Sequence, residues 1–137
     1  MSESTPGFEG KQLAKDLVDL GVSVRLIADS SVNSIISNID AVLIGADAIL
    51  ADGSVINKIG TNEIARAAYE KGKPVYVICE TAKFSAQDFL VEPIDVSNAL
   101  FDITPSEYVS AIITEEGRFE PRQVKDRIRE MLSQLYP

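Results

Sequence analysis

The stretch from Val42 to Thr61 constrains the fold of this chain more than any other segment. It begins with an apolar run at residues 41–44, which predicts a short buried strand. The dipeptide Asp52-Gly53 is typical of a tight turn, and the short β-prone segments on either side of it predict a hairpin. A second glycine and then Thr61 follow, and Thr61 is placed to cap a helix.

Three polar side chains lie in the same stretch. Asp47 follows the predicted strand, and Asn57 and Lys58 follow the hairpin. In open α/β sheets, ligands bind beyond the carboxyl ends of the strands. A lysine ammonium and a side-chain amide suit phosphate or sugar hydroxyl groups, and the N-terminus of the next helix favours an anion. We therefore expect an acid, an amide and an amine to meet around an anionic ligand. The alternative is a helix-capping arrangement beside a solvated lysine.

Along the rest of the chain, predicted helices and predicted strands alternate. Apolar periodicity and turn residues predict helices at about 8–20, 32–38, 61–71, 105–114 and 121–135, and strands at 22–28, 41–44, 75–79 and 100–103. Residues 80–99 are interpreted as a loop with one helical turn. This alternation predicts one α/β domain over residues 1–137, with a mainly parallel sheet covered by helices on both faces.

Charge narrows the possible partners. The 137 residues include 21 acidic and 13 basic side chains, for a formal net charge of −8. We expect no direct binding to nucleic acid or to an anionic membrane surface, because both need a positive face. No apolar run approaches the ~20 residues that cross a bilayer, and the first residues lack the features of a signal peptide.

The cysteine and histidine content limits the redox setting, the metal sites and the acid/base catalysis to be expected. Cys79 is the single cysteine, so a reducing, cytoplasmic setting is expected, and we interpret the residue as a small core side chain. The sequence contains no histidine, which is the usual proton shuttle and the commonest metal ligand. We therefore predict no metal and no cofactor. Any acid/base chemistry falls to a carboxylate, lysine, tyrosine or the thiol.

The segment Gly45–Thr61, GADAILADGSVINKIGT, resembles the signature of a known family. That family unites the α, β and δ subunits of translation initiation factor 2B with isomerases of methylthioribose 1-phosphate and ribose 1,5-bisphosphate. Further elements resemble the family's motifs in the same order: Glu3–Pro6 with Glu9-Gly10, Asp29-Ser30, Glu80–Phe84, and Phe101–Pro105 with Ile113–Glu115. The resemblance implies a Rossmann-like domain, akin to the sugar-phosphate isomerase and CoA-transferase-like group. It corresponds to the C-terminal domain of the initiation factor 2B subunits and is truncated relative to its relatives.

The resemblance also implies site residues. The family's motif aspartate matches Asp47, its substrate-contacting Asn-Lys pair matches Asn57 and Lys58, and a ligand-contacting glutamate or glutamine matches Glu9. In the isomerases a cysteine upstream of the element that matches Glu3–Pro6 works with that aspartate. That region is missing here, Cys79 does not match it, and Thr5 replaces a family arginine. Asp47 is therefore interpreted either as a general acid or as a residue that only orders its loop.

Two functions follow as expectations. The first is a non-catalytic module linked to translation initiation, which binds a sugar phosphate or nucleotide and forms a homodimer or hetero-oligomer. The alternative is an aldose–ketose isomerase of a ribose 1-phosphate derivative, with Asp47 as general acid and the missing groups supplied by another chain. Without the family cysteine and arginine we favour the first, and we predict no turnover by this chain alone.

Overall fold

The computed structural model describes residues 9–25, 27, 31–85 and 100–135. The chain divides into two compact units, Met1–Ile39 and Asp40–Pro137. Some sequence predictions lie outside the described residues: the motif around Thr5, residues 26 and 28 of the predicted strand, the strand end at Asp29-Ser30, and the part of the predicted loop at 86–99.

The described residues of the smaller unit form two helices, as predicted. Helix α1 spans Glu9–Asp19, and helix α2 spans Val32–Ile35 and continues as a 3₁₀ turn at Ile36–Asn38. Helix α1 ends in a Schellman motif, in which Gly21 has a φ of 85° and the N–H of Val22 donates to the carbonyl of Leu17 at 3.0 Å. The strand predicted at 22–28 is wrong for residues 22–25, which form no strand.

The larger unit is built on a four-stranded sheet in the order β1-β4-β6-β7. Its strands are β1 (Val42–Ile44), β4 (Val75–Ile78), β6 (Ala111–Thr114) and β7 (Gly117–Phe119). Strand β4 pairs in parallel with both β1 and β6, and β7 is an antiparallel edge strand. The mainly parallel sheet of the sequence prediction is confirmed.

A second sheet carries the predicted hairpin. It contains three antiparallel strands in the order β2-β3-β5: β2 (Ala48–Ile49), β3 (Val55–Lys58) and β5 (Phe101–Thr104). The hairpin closes as the sequence predicts, because the N–H of Leu50 donates to the Ser54 carbonyl and the Asp52 side chain accepts the N–H of Ser54. The strand predicted at 100–103 is therefore real, but it pairs with β3 rather than with the parallel sheet.

One hydrophobic core lies between these layers. Residues of both sheets and of helix α4 (Val124–Leu135) form it, and each of the following is almost fully buried: Ile49, Ala51, Val55, Val77, Phe84, Val109, Ile112, Val124 and Ile128. The predicted last helix is confirmed, with a 3₁₀ turn at Pro121–Gln123 ahead of it and a capping box between Glu120 and Gln123. Cys79 packs against this core, as interpreted from the sequence.

The helix predicted at 105–114 is wrong. Thr104 and Pro105 resemble a helix start, but only a 3₁₀ turn at Ser106–Tyr108 follows. Residues 111–114 then form β6, where Ala111 and Ile112 are fully buried between β4 and β7. Isoleucine favours a strand that neighbours cover on both faces, and that burial outweighs the local capping signal.

Candidate functional site

Asp47 lies where the hairpin begins. Its N–H donates to the Ile56 carbonyl at 2.8 Å, although Ile56 is already the ladder partner of Ala48. This bond lies just outside the two-residue strand β2 and holds the backbone of Asp47 against Ile56, the residue before Asn57. The Asp47 carboxylate is exposed to solvent in the described structure.

Asn57 and Lys58 end strand β3, and their side chains alternate across it. The Asn57 amide donates to the Thr61 hydroxyl at 3.2 Å, and that hydroxyl donates to the Lys58 carbonyl at 2.7 Å. Lys58 is the ladder partner of Phe101, so the lysine shares the outer face of this sheet with that aromatic ring. The backbone thus brings Asp47, Asn57 and Lys58 to adjoining positions of one hairpin, and their roles as ligand-binding residues stay predictions.

Helix α3 (Thr61–Glu70) starts directly after this pair, as predicted, but its cap differs from the prediction. The N-cap is Gly60, with a φ of 102°, and Thr61 is the first helical residue. Glycine accepts this left-handed conformation because it has no Cβ. With no side-chain cap of its own, the helix leaves its first N–H groups for another partner.

That partner is Asp102, whose role the sequence analysis missed. Asp102 lies on β5 directly opposite Asn57, and its Oδ2 accepts the N–H of Gly60 at 2.9 Å and the N–H of Asn62 at 3.2 Å. A carboxylate therefore already occupies the position at the N-terminus of α3 where we had expected a ligand phosphate. The one available signal was its place in the family-like segment Phe101–Pro105, which assigns no role by itself.

Three buried polar atoms of Asp102 and nearby residues have no hydrogen-bond partner among the described residues. They are the Asp102 Oδ1, the Asn62 Oδ1 and the hydroxyl of fully buried Thr104. Burial raises the pKa of Asp102 above the usual aspartate range; the N–H groups of Asn62 and Gly60 oppose this rise, and nearby Glu63 adds to it. Asp102 is thus a half-buried carboxylate with one oxygen paired to the start of α3 and the other unpaired among the described residues.

Another cluster of polar residues follows the carboxyl ends of β4 and β6: Cys79, Thr81 and Glu115. Glu115 accepts two hydrogen bonds from Thr81, one from its N–H at 2.8 Å and one from its hydroxyl at 2.9 Å. Cys79 is half-buried, and burial raises the pKa of its thiol, with Glu115 and Glu80 adding to the rise and Lys83 opposing it. Because the thiolate is the nucleophilic form, Cys79 is poorly suited to act as a nucleophile.

Glu9 is the first residue of α1 and belongs to the smaller unit. Its predicted contact with ligand stays a prediction. Among the described residues, no group of three or more His, Cys, Asp or Glu side chains could hold a metal ion. Within the same part of the chain, no helix is long and apolar enough to cross a membrane.

The sequence matches the model of the Initiation factor 2 subunit family over residues 1–92 and 86–121. The chain belongs to this family. The initiation factor 2 subunit family fold is confirmed by similarity to the crystal structure of 5-methylthioribose 1-phosphate isomerase from Pyrococcus horikoshii OT3. The TM-score is 0.80 at 26% identity, with 97% of this chain and 44% of that chain covered. The fold is a Rossmann-like mixed sheet flanked by helices.

Two relatives in the initiation factor 2 subunit family carry different names. A ribose 1,5-bisphosphate isomerase from Haloferax volcanii is 37% identical over an alignment length of 156, and the match covers 98% of this chain and 48% of that protein. A putative translation initiation factor eIF-2B subunit 2-like protein from Pyrococcus furiosus is 39% identical over 132 residues, which cover 88% of this chain and 48% of that protein. The chain therefore spans about half the length of the relatives it matches.

Proposed function

We propose that this chain carries the acid and the phosphate-binding pair of an aldose–ketose isomerase site for a ribose 1-phosphate derivative, with ribose 1,5-bisphosphate as the first candidate. The observation that carries this proposal is the hairpin, where the N–H of Asp47 donates to the carbonyl of Ile56 and the next two residues of that strand are Asn57 and Lys58. The isomerase name of the Haloferax volcanii relative, which aligns with 98% of this chain, supports it. This reverses the order of the two functions expected from the sequence.

The reaction needs few groups. It moves one hydrogen from C2 to C1 of the sugar, a proton reaches the ring oxygen as the ring opens, and the C2 hydroxyl loses its proton as the ketone forms. No atom is gained or lost, so neither a metal nor a cofactor is required. In the proposed site Asp47 donates the proton to the ring oxygen, and Lys58 neutralises charge on a phosphate. A separate base must take the proton from C2–OH.

Asp47 is exposed, so the described residues do not enclose the proposed active site. A general acid works best in an enclosed site from which water is excluded. The described residues leave Asp47 exposed, so we propose that another chain encloses it and supplies the base. We propose a homodimer or hetero-oligomer for the same reason. Light scattering over a concentration series measures this, and a monomer at the highest concentration would contradict it.

Isothermal titration with ribose 1,5-bisphosphate tests the site directly. Wild type should bind, and Lys58→Ala should weaken binding by about tenfold, which corresponds to loss of one charged contact. The control is Lys125→Ala, because Lys125 is an exposed lysine on α4 and should leave affinity unchanged. No binding by wild type, or equal binding by all three proteins, would overturn the proposed function.

A turnover assay separates catalysis from binding alone. Asp47→Asn should keep most of the affinity but abolish formation of the ketose bisphosphate, whereas Asp40→Asn, at the opposite end of β1, should change neither. The second candidate is the non-catalytic module linked to translation initiation, which the name of the Pyrococcus furiosus relative and the exposure of Asp47 both favour. Binding without turnover, also in the presence of a partner chain, would assign that function.

A further inference from the structure

The segment that joins β3 to α3 is held from outside by one side chain. Asp102 comes from β5, 42 positions after Gly60 and 40 after Asn62, and one of its oxygens accepts the backbone N–H groups of both residues. Lys58 stands two residues before Gly60. Whatever fixes the position of Gly60 therefore also limits where the backbone of Lys58 can lie.

A second set of hydrogen bonds fixes the same segment from within. The Asn57 amide donates to the hydroxyl of Thr61, and this hydroxyl donates to the carbonyl of Lys58. Asn57 is also the direct ladder partner of Asp102 across the sheet. The carboxylate, the amide and the hydroxyl thus hold a single turn, and the predicted phosphate-binding pair is at its beginning.

Asp102 also determines what the helix offers a ligand. The N-terminus of an α-helix attracts anions through its free N–H groups and its dipole. Here a carboxylate of the same chain accepts two of those N–H groups and brings its own negative charge. A phosphate near this turn therefore depends on a cationic side chain rather than on the end of the helix.

We propose that Asp102 is a positioning residue for the Asn57–Lys58 pair: its carboxylate fixes the turn between β3 and α3 and takes the anion position at the start of α3, so that the ligand's phosphate is held by Lys58. This inference rests on the proposed function. It goes beyond it by assigning a role to a residue that need not touch the ligand.

The direction in which phosphate affinity changes when Asp102 is replaced makes the proposal testable. Removal of a negative charge close to an anion site would by itself tighten phosphate binding. Loss of positioning acts in the opposite direction. We therefore expect Asp102→Ala to weaken binding of ribose 1,5-bisphosphate by about tenfold, and Asp102→Asn by about threefold, because a neutral amide oxygen still accepts the two N–H groups but less strongly than a carboxylate.

Isothermal titration should be run at a temperature at which thermal unfolding shows every variant to be folded. Ser110→Ala is the matched control, because the Ser110 hydroxyl accepts the N–H of Val75 at 3.1 Å at the amino end of β4. The Ser110→Ala variant loses a similar side-chain-to-backbone hydrogen bond, but away from the turn between β3 and α3, and should keep wild-type affinity. If Asp102→Ala does not fold, the folded Asp102→Asn protein decides the question.

A double-mutant cycle distinguishes positioning from a general loss of order. If Asp102 acts through Lys58, then Asp102→Ala in a Lys58→Ala background should weaken binding by less than about twofold beyond the single lysine variant. Unchanged or tighter binding by the Asp102 variants, or fully additive losses, would overturn this inference alone. Absence of binding by the wild-type protein would overturn the proposed function and this inference with it.

Discussion

Glu115 accepts both hydrogen-bond donors of Thr81: Oε1 binds the N–H at 2.8 Å and Oε2 binds the hydroxyl at 2.9 Å. The two residues belong to separate motifs, one after β4 and the other after β6. A single carboxylate thereby ties together the carboxyl ends of two neighbouring parallel strands. This link is independent of Asp102 and lies outside the hydrophobic core.

Stability should fall in acid partly because of this link. The Thr81 N–H lowers the pKa of Glu115, burial partly opposes this, and the Thr81 hydroxyl lowers it further. A lowered pKa in the folded state means that the contribution is present above the unfolded pKa and is lost as the pH falls through the folded one. Glu115→Gln should therefore show a smaller decrease in Tm than wild type between about pH 6 and about pH 3. Glu107→Gln, at an exposed glutamate, is the control and should follow wild type.

The ion pair of Arg127 and Glu116 should contribute more than other surface pairs. The Arg127 Nε and Nη2 atoms each lie 2.8 Å from a different oxygen of Glu116, and this bidentate contact lowers the pKa of the glutamate. Lysine cannot reproduce the two-point contact. Arg127→Lys should lower the Tm more than Arg122→Lys, whose side chain is 82% exposed. Equal effects of the two substitutions in thermal unfolding would contradict this.

Gly53 should tolerate no side chain. It has a φ of 87°, and a Cβ at this position would lie 2.5 Å from the Cβ of Pro121 and 2.8 Å from its Cα. Gly53→Ala combines backbone strain with overpacking, and we expect a loss of about 2–4 kcal/mol in the free energy of unfolding. Gly72→Ala isolates the strain, because Gly72 has a φ of 70° but no atom within 4 Å of the added Cβ, and it should cost about 1 kcal/mol. Urea unfolding measures both, and similar losses would show that the clash relaxes.

Phe84 and Lys83 are neighbours with opposite roles. Phe84 is buried in the core with its ring edge-to-face against Phe119 at a centroid distance of 5.3 Å, while Lys83 is exposed. Phe84→Ala should lower the free energy of unfolding by about 3–5 kcal/mol, because it removes contacts and leaves a cavity. Lys83→Ala should change it by less than about 0.5 kcal/mol. A large effect of Lys83→Ala would indicate a role for this lysine that the structure does not show.

Local signals predicted much of this fold. The hairpin around Asp52-Gly53 and the helices α1, α3 and α4 follow from turn residues, apolar periodicity and caps that act within a few residues. The same kind of signal was misleading at Pro105, where a good helix start precedes a buried strand. Which segment lies between β4 and β7 depends on packing that involves distant parts of the chain, and local sequence does not record it.

The site residues likewise divide into those that local sequence predicts and those that depend on distant parts of the chain. Asp47, Asn57 and Lys58 stand close together in the sequence, so their nearness in the hairpin was predictable. The role of Asp102 was not predictable, because its hydrogen bonds join residues 40 and 42 positions apart and depend on the pairing of β3 with β5. Capping was likewise assigned to the nearest suitable side chain, Thr61, whereas the fold uses a carboxylate from another strand.

The hydrogen bond from Asp47 to Ile56 has a consequence for how such a site can decay. It fixes Asp47 one residue before Ala48, the ladder partner of Ile56, and a shift of one position in a strand exchanges its two faces. Deletion of Ala48 would leave Asp47, Asn57 and Lys58 in the sequence, yet turn the carboxylate to the other face of the hairpin. Among related chains, the spacing between these residues would then reveal a lost arrangement that residue identity alone does not.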